Sequence, residues 1–326
     1  MYAAFHNVAI EKMAVALPSI KISYDDESYD GLDNARKQKL KSVIGFQNRY
    51  IVNQETTLDL CEAAARKLDM NLSNIDALVF VTQTPDHFQP GNSYLLHARL
   101  ALAASCFCID INAGCNGYLQ GLFQAHQLLQ LPEINSVLLC VGDTISKTVN
   151  PADAAIAPIF GDGGSATLLH KKAGVKSYFS FHSQGNNFDK IIINNGAYRK
   201  SIDHTTNDFL FMDGAEVMQM AIQEVPNAVN ELLHKYQIQK DEIDYFFFHQ
   251  ANSFIISTLA KNLGLDMNQV PDVFSKYGNQ SSASIPFAMA ETLQNKASQQ
   301  SLLCGFGVGF AWATAVLNTT DLKIII

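Results

Sequence analysis

Apolar residues along the chain fall into short continuous runs of strand length, each following a stretch with helical spacing. One run is Ile75-Asp-Ala-Leu-Val-Phe80, after a helix marked by Leu58, Leu60, Ala63, Ala64 and Leu68. Its counterpart is Ile243-Asp-Tyr-Phe-Phe-Phe248, after Val225, Val229, Leu232 and Leu233. Each reads as an amphipathic helix, a polar turn and a buried strand. A second matched pair is Ser136-Val-Leu-Leu-Cys140-Val-Gly142 and Gln300-Ser-Leu-Leu-Cys304-Gly-Phe306. The offsets are 168 residues (75 to 243) and 164 residues (136 to 300). A period this long is not a solenoid repeat. It predicts two similar α/β halves, residues 1–170 and 171–326, joined between Lys171 and Asp208.

The offset of 164 also carries Cys115 onto Asn279. Each stands before a helical stretch, Asn116–Leu129 in one half and Ser284–Asn295 in the other. Equivalent positions in paired halves face each other across a crevice, a preferred place for ligands.

Composition narrows the function. With 326 residues, 48% of them hydrophobic, the chain can bury a large core. A net charge of −8 with 23 Lys and Arg argues against a nucleic-acid binder, which carries a basic excess. Met1–Lys12 lacks a basic head before an apolar run, so no signal peptide is expected and a cytoplasmic location is. The uncharged stretch between Lys296 and Asp321 is broken by glycine and polar residues and reads as core strand, not as a membrane span. Six cysteines include no Cys-x-x-Cys pair, and Cys106-x-Cys108 has no His/Cys cluster to match, so neither zinc nor disulfides are expected.

Phe107–Tyr118 reads as an apolar strand, a tight turn and a helix, with Cys115 between Gly114 and Gly117. The turn is reminiscent of a nucleophile elbow, and a helix N-terminus favours thiolate. The residue pattern fits a buried structural thiol as well. His249 ends the aromatic strand Tyr245–Phe248 just before a helix over Ser253–Leu263, where catalytic groups sit in α/β folds and where a simple capping histidine also fits. Tyr277–Pro286 is a small-residue turn leading into a helix, with Pro286 in its first turn.

Taken together these segments resemble the β-ketoacyl-acyl-carrier-protein synthase III family of the thiolase fold, over nearly the whole chain. Asp110–Gly117 matches Asp-x-x-x-Ala-Cys-x-Gly with Gly114 in place of alanine. His249-Gln-Ala-Asn252 is intact, and Gly278–Pro286 matches Gly-Asn-x-Ser-x-Ala-Ser-Ile-Pro. Phe160–Ala166 and Gly305–Trp312 match two further glycine motifs. Each motif is weak alone; five in order are specific. Gly305-x-Gly-x-Gly309 is followed by a strand-like run rather than a helix, which removes the nucleotide-binding reading. Gly161–Gly164 reads as a turn between strands.

The resemblance implies a five-layered αβαβα arrangement and a set of roles. Cys115 would take an acyl group from a thioester. The backbone amides of Cys115 and Val308 would form an oxyanion hole. His249 and Asn279 would hold the carbonyl of a malonyl donor through decarboxylation and Claisen condensation. No metal or redox cofactor is implied; acyl-CoA or acyl carrier protein enters as substrate, and a symmetric homodimer is expected by analogy.

The chain departs from the family at the donor end. Where the family holds coenzyme A with a Trp and two Arg residues, this chain has Lys39, Val43 and Ala154. Of the basic positions that dock the carrier protein, Gln219 and Phe254 have lost their charge and Lys261 keeps it. These departures point towards a specialised pathway. A non-decarboxylating acyltransferase of the same fold and a catalytically silent partner subunit are the alternatives; the intact Cys115, His249 and Asn279 argue against silence. Pocket shape is expected to depend on the loops Thr84–Ser93 and Lys190–Phe211.

Overall fold

The computed structural model describes residues 1–29, 32–195 and 209–325. Nine strands form one hydrogen-bonded sheet: β1 (Tyr2–Ala16), β2 (Ala77–Val81), β3 (Phe107–Ile111), β4 (Ser136–Asp143), β5 (Gly163–Ser183), β6 (Tyr245–Phe248), β7 (Gln300–Gly307), β8 (Ala311–Asn318) and β9 (Lys323–Ile325). Their order is β6-β7-β8-β5-β4-β2-β3, with β1 beside β5 and β9 beside β1. The main helices are α1 (Asn34–Ile44), α2 (Thr57–Lys67), α3 (Asn92–Arg99), α4 (Gly117–Leu128), α5 (Gly214–Tyr236), α6 (Ser253–Leu263) and α7 (Ser284–Leu293).

The repeat read from the sequence reappears as register. β2 pairs with β4 in parallel from Ala77↔Val137, and β6 pairs with β7 in parallel from Tyr245↔Ser301. β4 then pairs antiparallel with the first part of β5, and β7 pairs antiparallel with β8. The 170/171 boundary falls inside β5. The first part of that strand pairs with β4, whereas Ser177–Ser183 pairs with β8. β1 follows the same division, with a bulge between His6 and Val8 where Asn7 takes φ 63° and its side chain accepts a hydrogen bond from Gly174 N.

Strand alternation produces the layers. Leu78 and Phe80 of β2 pack under α2 and α3 with Leu58, Cys61 and Leu68, while Val79 and Val81 face α4 and α7. In β6, Phe246 and Phe248 pack under α5 and α6 with Val225, Val229 and Leu232, while Phe247 faces the central helices. The central layer holds Leu119 and Leu122 of α4 against Ile285 and Phe287 of α7. Helices, sheet, helices, sheet, helices is the five-layered thiolase-like arrangement. The uncharged stretch before Asp321 forms β7 and β8, and among the described residues no helix is long and apolar enough to cross a membrane. Gly163 and Gly164 open β5 itself instead of lying in a turn before it.

Local chemistry places the ends. A capping box between Thr56 and Asp59 starts α2. Asn252 caps α6 by accepting from Ile255 N, and Gly264 stops it at φ 67°. Pro286 occupies the first turn of α7.

Candidate active site

Cys115 sits in the tight turn between β3 and α4, closed by Gly117 N donating to Gly114 O at 2.6 Å. A β-carbon at Gly114 would fall 2.7 Å from Val308 Cγ1 and closer still to the Gln83 side chain, so alanine would not fit here without displacing its neighbours. β7 passes just as near. Gly307 has φ 153°, and a β-carbon there would lie 2.7 Å from Cys115 Sγ. The glycines of this segment serve close approach to the thiol.

The backbone amides of Val308 and Cys115 and the Ser281 hydroxyl each act to lower the thiol's pKa. These contacts favour thiolate, but burial outweighs them and the nearby Asp143 adds to it, so the thiol is pushed up to about 11. The helix end does not make Cys115 a resting thiolate as the sequence suggested, because desolvation at this depth exceeds the dipole's pull.

His249 follows β6 and is buried; its backbone N donates to Cys304 O at 2.8 Å. Its Nδ1 lies 2.6 Å from Ser284 Oγ, which itself accepts a hydrogen bond from Gln250 N. Where the Ser284 hydroxyl donates to Nδ1, the imidazole carries its own proton on Nε2. Burial pushes the ring down to about 3, so it is neutral at pH 7. The edge of Phe306 fixes its plane, with ring centroids 5.4 Å apart at 87°.

Asn279 is anchored by its backbone, which donates to Ile159 O and accepts from Gly161 N. Its Oδ1 accepts from Ser281 N at 2.8 Å, which orients the amide. Among the described residues neither Asn279 Nδ2 nor His249 Nε2 is engaged in a hydrogen bond. Cys115, His249, Asn279 and Val308 all line one cavity of about 540 Å³.

Most of the remaining lining is apolar, with Gln83, Thr84, Asn112, Thr148, Asn252 and Ser281 the polar exceptions. Ile156, Ile159, Ile191, Ile192, Met212 and Phe254 are among its walls, and among the described residues no Lys, Arg, Asp or Glu lines it. Thr84, Ile191–Ile193 and Leu210 come from the two loops expected to shape it; residues 196–208 of the second lie outside the described residues. Lys39, Val43 and Ala154 are not in the wall, although their neighbours Ile44 and Ala155 are. Lys261 is not at the centre either. It is exposed on α6, two turns beyond Phe254 at the cavity mouth.

Sequence reasoning missed Asp143, Ser281, Ser282 and Ser284. Asp143 ends β4, is fully buried and accepts from Thr82 Oγ1, Gln83 N, Thr84 Oγ1, Ser282 N and Ser282 Oγ. Its one visible signal was an acidic residue closing an apolar strand at Val141-Gly-Asp143.

Comparison with known proteins agrees with this geometry. Residues 109–187 match the model of 3-oxoacyl-[acyl-carrier-protein] synthase III, and residues 233–319 match its C-terminal model. A Campylobacter jejuni protein provisionally named 3-oxoacyl-[acyl-carrier-protein] synthase 3 is 36% identical, over 99% of this chain and 97% of its own length. The β-ketoacyl-[acyl-carrier-protein] synthase III of Streptococcus mutans is 30% identical over 95% of this chain and 98% of its own. The crystal structure of a 3-oxoacyl-(acyl-carrier protein) synthase from Burkholderia xenovorans superposes with a TM-score of 0.95 at 34% identity, covering 100% of this chain and 97% of that one. With the motifs, the layered fold and full-length relatives in agreement, the chain is a member of the 3-oxoacyl-[acyl-carrier-protein] synthase III family of condensing enzymes.

Proposed function

We propose that this enzyme joins an acyl group carried on Cys115 to a malonyl thioester with loss of carbon dioxide. The observation that carries this is a pair of nitrogens without hydrogen-bond partners among the described residues, His249 Nε2 and Asn279 Nδ2, in the same cavity as the thiol. In the first half-reaction the Cys115 sulfur attacks the donor thioester, the amides of Cys115 and Val308 bind the developing oxyanion, and the donor thiol leaves. In the second, the malonyl carbonyl accepts from His249 and Asn279. The bond to the carboxylate breaks, the electron pair passes into an enolate, and its carbon attacks the acyl-cysteine. A neutral imidazole suits this role, since it donates a hydrogen bond without protonating the enolate outright. The chemistry calls on no metal or redox group.

The donor fits a carrier protein better than free coenzyme A. Among the described residues no Lys or Arg lines the cavity to meet a nucleotide phosphate. The basic charge lies outside, on α1, which bears Arg36, Lys37, Lys39 and Lys41 with no acidic residue, and on α6 at Lys261. Ile44 at the end of α1 and Phe254 at the start of α6 both reach the cavity, so an acidic carrier resting on these helices could pass its acyl arm inward. A homodimer in the cytoplasm completes the proposal. β3 is an edge strand with Phe107 exposed, and Tyr94 and Phe88 are exposed nearby in sequence, apolar surface that a second copy would cover.

Intact mass after incubation with acyl-CoAs and acyl carrier proteins tests the reading. An acyl adduct is expected on the wild type and not on Cys115→Ala, with faster loading from the carrier. Asn279→Ala is expected to accept the acyl group but lose malonyl decarboxylation by roughly two orders of magnitude. Absence of any adduct on Cys115 overturns the covalent mechanism; an acylated enzyme that passes its acyl group to a hydroxyl or amine without releasing carbon dioxide would reassign it as an ester- or amide-forming acyltransferase.

A further inference from the structure

The segment that anchors Asn279 is itself held from behind. Residues 159–161 run parallel to Asn279, whose N donates to Ile159 O at 2.8 Å and whose O accepts from Gly161 N at 3.0 Å. Peptide groups along an extended segment point alternately to its two sides, so Phe160 O faces away from Asn279. Arg49 meets it there, its Nη1 donating to Phe160 O at 3.1 Å.

The guanidinium is fixed in turn. Its Nε donates to Glu27 Oε2 at 3.3 Å and its Nη2 donates to Glu27 Oε1, which also accepts from Tyr29 Oη at 2.9 Å. Both charged side chains are largely buried, with 12% of Arg49 and 14% of Glu27 exposed. A planar fork can grip a carboxylate with two nitrogens and keep the third for a carbonyl; a lysine has one nitrogen for both. The stem of Arg49 packs on the other side of the contact: a β-carbon at Gly278 would lie 3.1 Å from Arg49 Cβ. The neighbouring chain closes the clasp in the reverse direction. Asp162 N donates to Tyr50 O at 2.7 Å, and the buried Asp162 carboxylate accepts from Val52 N at 2.9 Å and from Ser146 N and Oγ.

From this geometry we infer that Arg49 is a positioning residue for the decarboxylation half-reaction. It holds residues 159–161 against Asn279 and so fixes where the Asn279 amide meets the malonyl carbonyl. Arg49 is not in the cavity wall, whereas Ile159, Phe160 and Asn279 are, so it acts through them. Cys115 stands in a separate turn between β3 and α4, against β7, and its loading does not draw on the clasp. A small displacement of the amide therefore slows only the step that uses it.

The inference rests on the malonyl reading of Asn279, and the two half-reactions separate them. Removing the guanidinium alone would leave the Glu27 carboxylate buried without its partner, so the test variant is Glu27→Gln/Arg49→Met. Wild type and variant are loaded with S-acetyl-N-acetylcysteamine, a donor too small to use a docking surface, and the adduct on Cys115 is followed by intact mass. The acylated enzymes then receive malonyl-N-acetylcysteamine, and release of carbon dioxide is measured. The variant is expected to load within about twofold of the wild-type rate and to release carbon dioxide roughly thirtyfold more slowly. In an Asn279→Ala background the same two substitutions are expected to cause no further fall, because the group through which Arg49 acts is already gone. If the paired variant fails to fold by circular dichroism, Arg49→Lys decides: it keeps a charge beside Glu27 but cannot also hold Phe160 O, and the same selective loss is expected. An unchanged decarboxylation rate, equal slowing of both half-reactions, or a fall that adds to that of Asn279→Ala overturns the role of Arg49 and leaves the malonyl reading standing. An Asn279→Ala enzyme that decarboxylates at the wild-type rate overturns both.

Discussion

At the scale of single residues, burial governs the titratable groups that matter. His249 is pushed down to about 3 and His126 to about 4 by desolvation, both away from an ordinary value of 6.5. A histidine whose folded value is depressed contributes stability that is fully present above its unfolded value and is lost as pH falls below it. Urea midpoints are therefore expected to hold near pH 8 and to fall between pH 6.5 and 4. His126 alone accounts for a loss on the order of 2 kcal/mol by pH 4.5. His126→Gln is expected to flatten that slope. The decarboxylation half-reaction should show no inflection near 6.5, because His249 stays neutral there. Cys115, His249 and Asn279 were legible in the sequence because each stands at a strand-to-helix junction within a recognisable motif. Asp143 and the Ser281–Ser284 hydroxyls were not. Their importance lies in partners 59 to 139 residues away or, for Ser284, 35 residues away at His249, and no local pattern announces such partners.

At the scale of elements, the repeat was readable because strands buried on both faces must be continuously apolar, and two such pairs recur at nearly one offset. What the repeat could not show is that β5 and β1 are each shared between halves, since strand length beyond a seam carries no periodic mark. Helix α4 and strand β7 must also approach more closely than side chains permit, and Gly307 makes this possible. Gly307→Ala is expected to cut Cys115 acylation by more than a hundredfold and to lower the melting temperature, since its β-carbon would press on the thiol and φ 153° suits glycine. Thr56→Ala, which removes half of a capping box at the start of α2, is the opposite case. It should cost about 1 kcal/mol in denaturant titration and leave the acylation rate unchanged.

At the scale of the molecule, a net charge of −8 surrounds a mouth flanked by the basic residues of α1 and by Lys261. An acidic carrier is repelled at a distance and captured only in the right orientation, so loading from acyl carrier protein should slow as salt rises while loading from S-acetyl-N-acetylcysteamine does not. Charge reversal at Lys39 and Lys261 should abolish that salt dependence. For the dimer, Phe107→Asp on the exposed edge of β3 is expected to shift sedimentation from two chains to one; a wild type that sediments as a monomer removes the dimer from the proposal.

The shared strand β5 has a consequence for how the chain comes into being. A ribosome delivering residues 1–170 has released half of a strand whose other half is still in the tunnel, and β1 lacks its neighbour β9 until residues 323–325 emerge. Two halves descended from one unit would each once have closed on themselves. Here residues 163–183 form one strand that pairs on either side of residue 170, so fragments cut there are expected to fold incompletely. Expressed as separate fragments cut at 170, the halves should be insoluble alone and recover only when mixed. The strand that runs across residue 170 leaves no line there along which the protein can be divided.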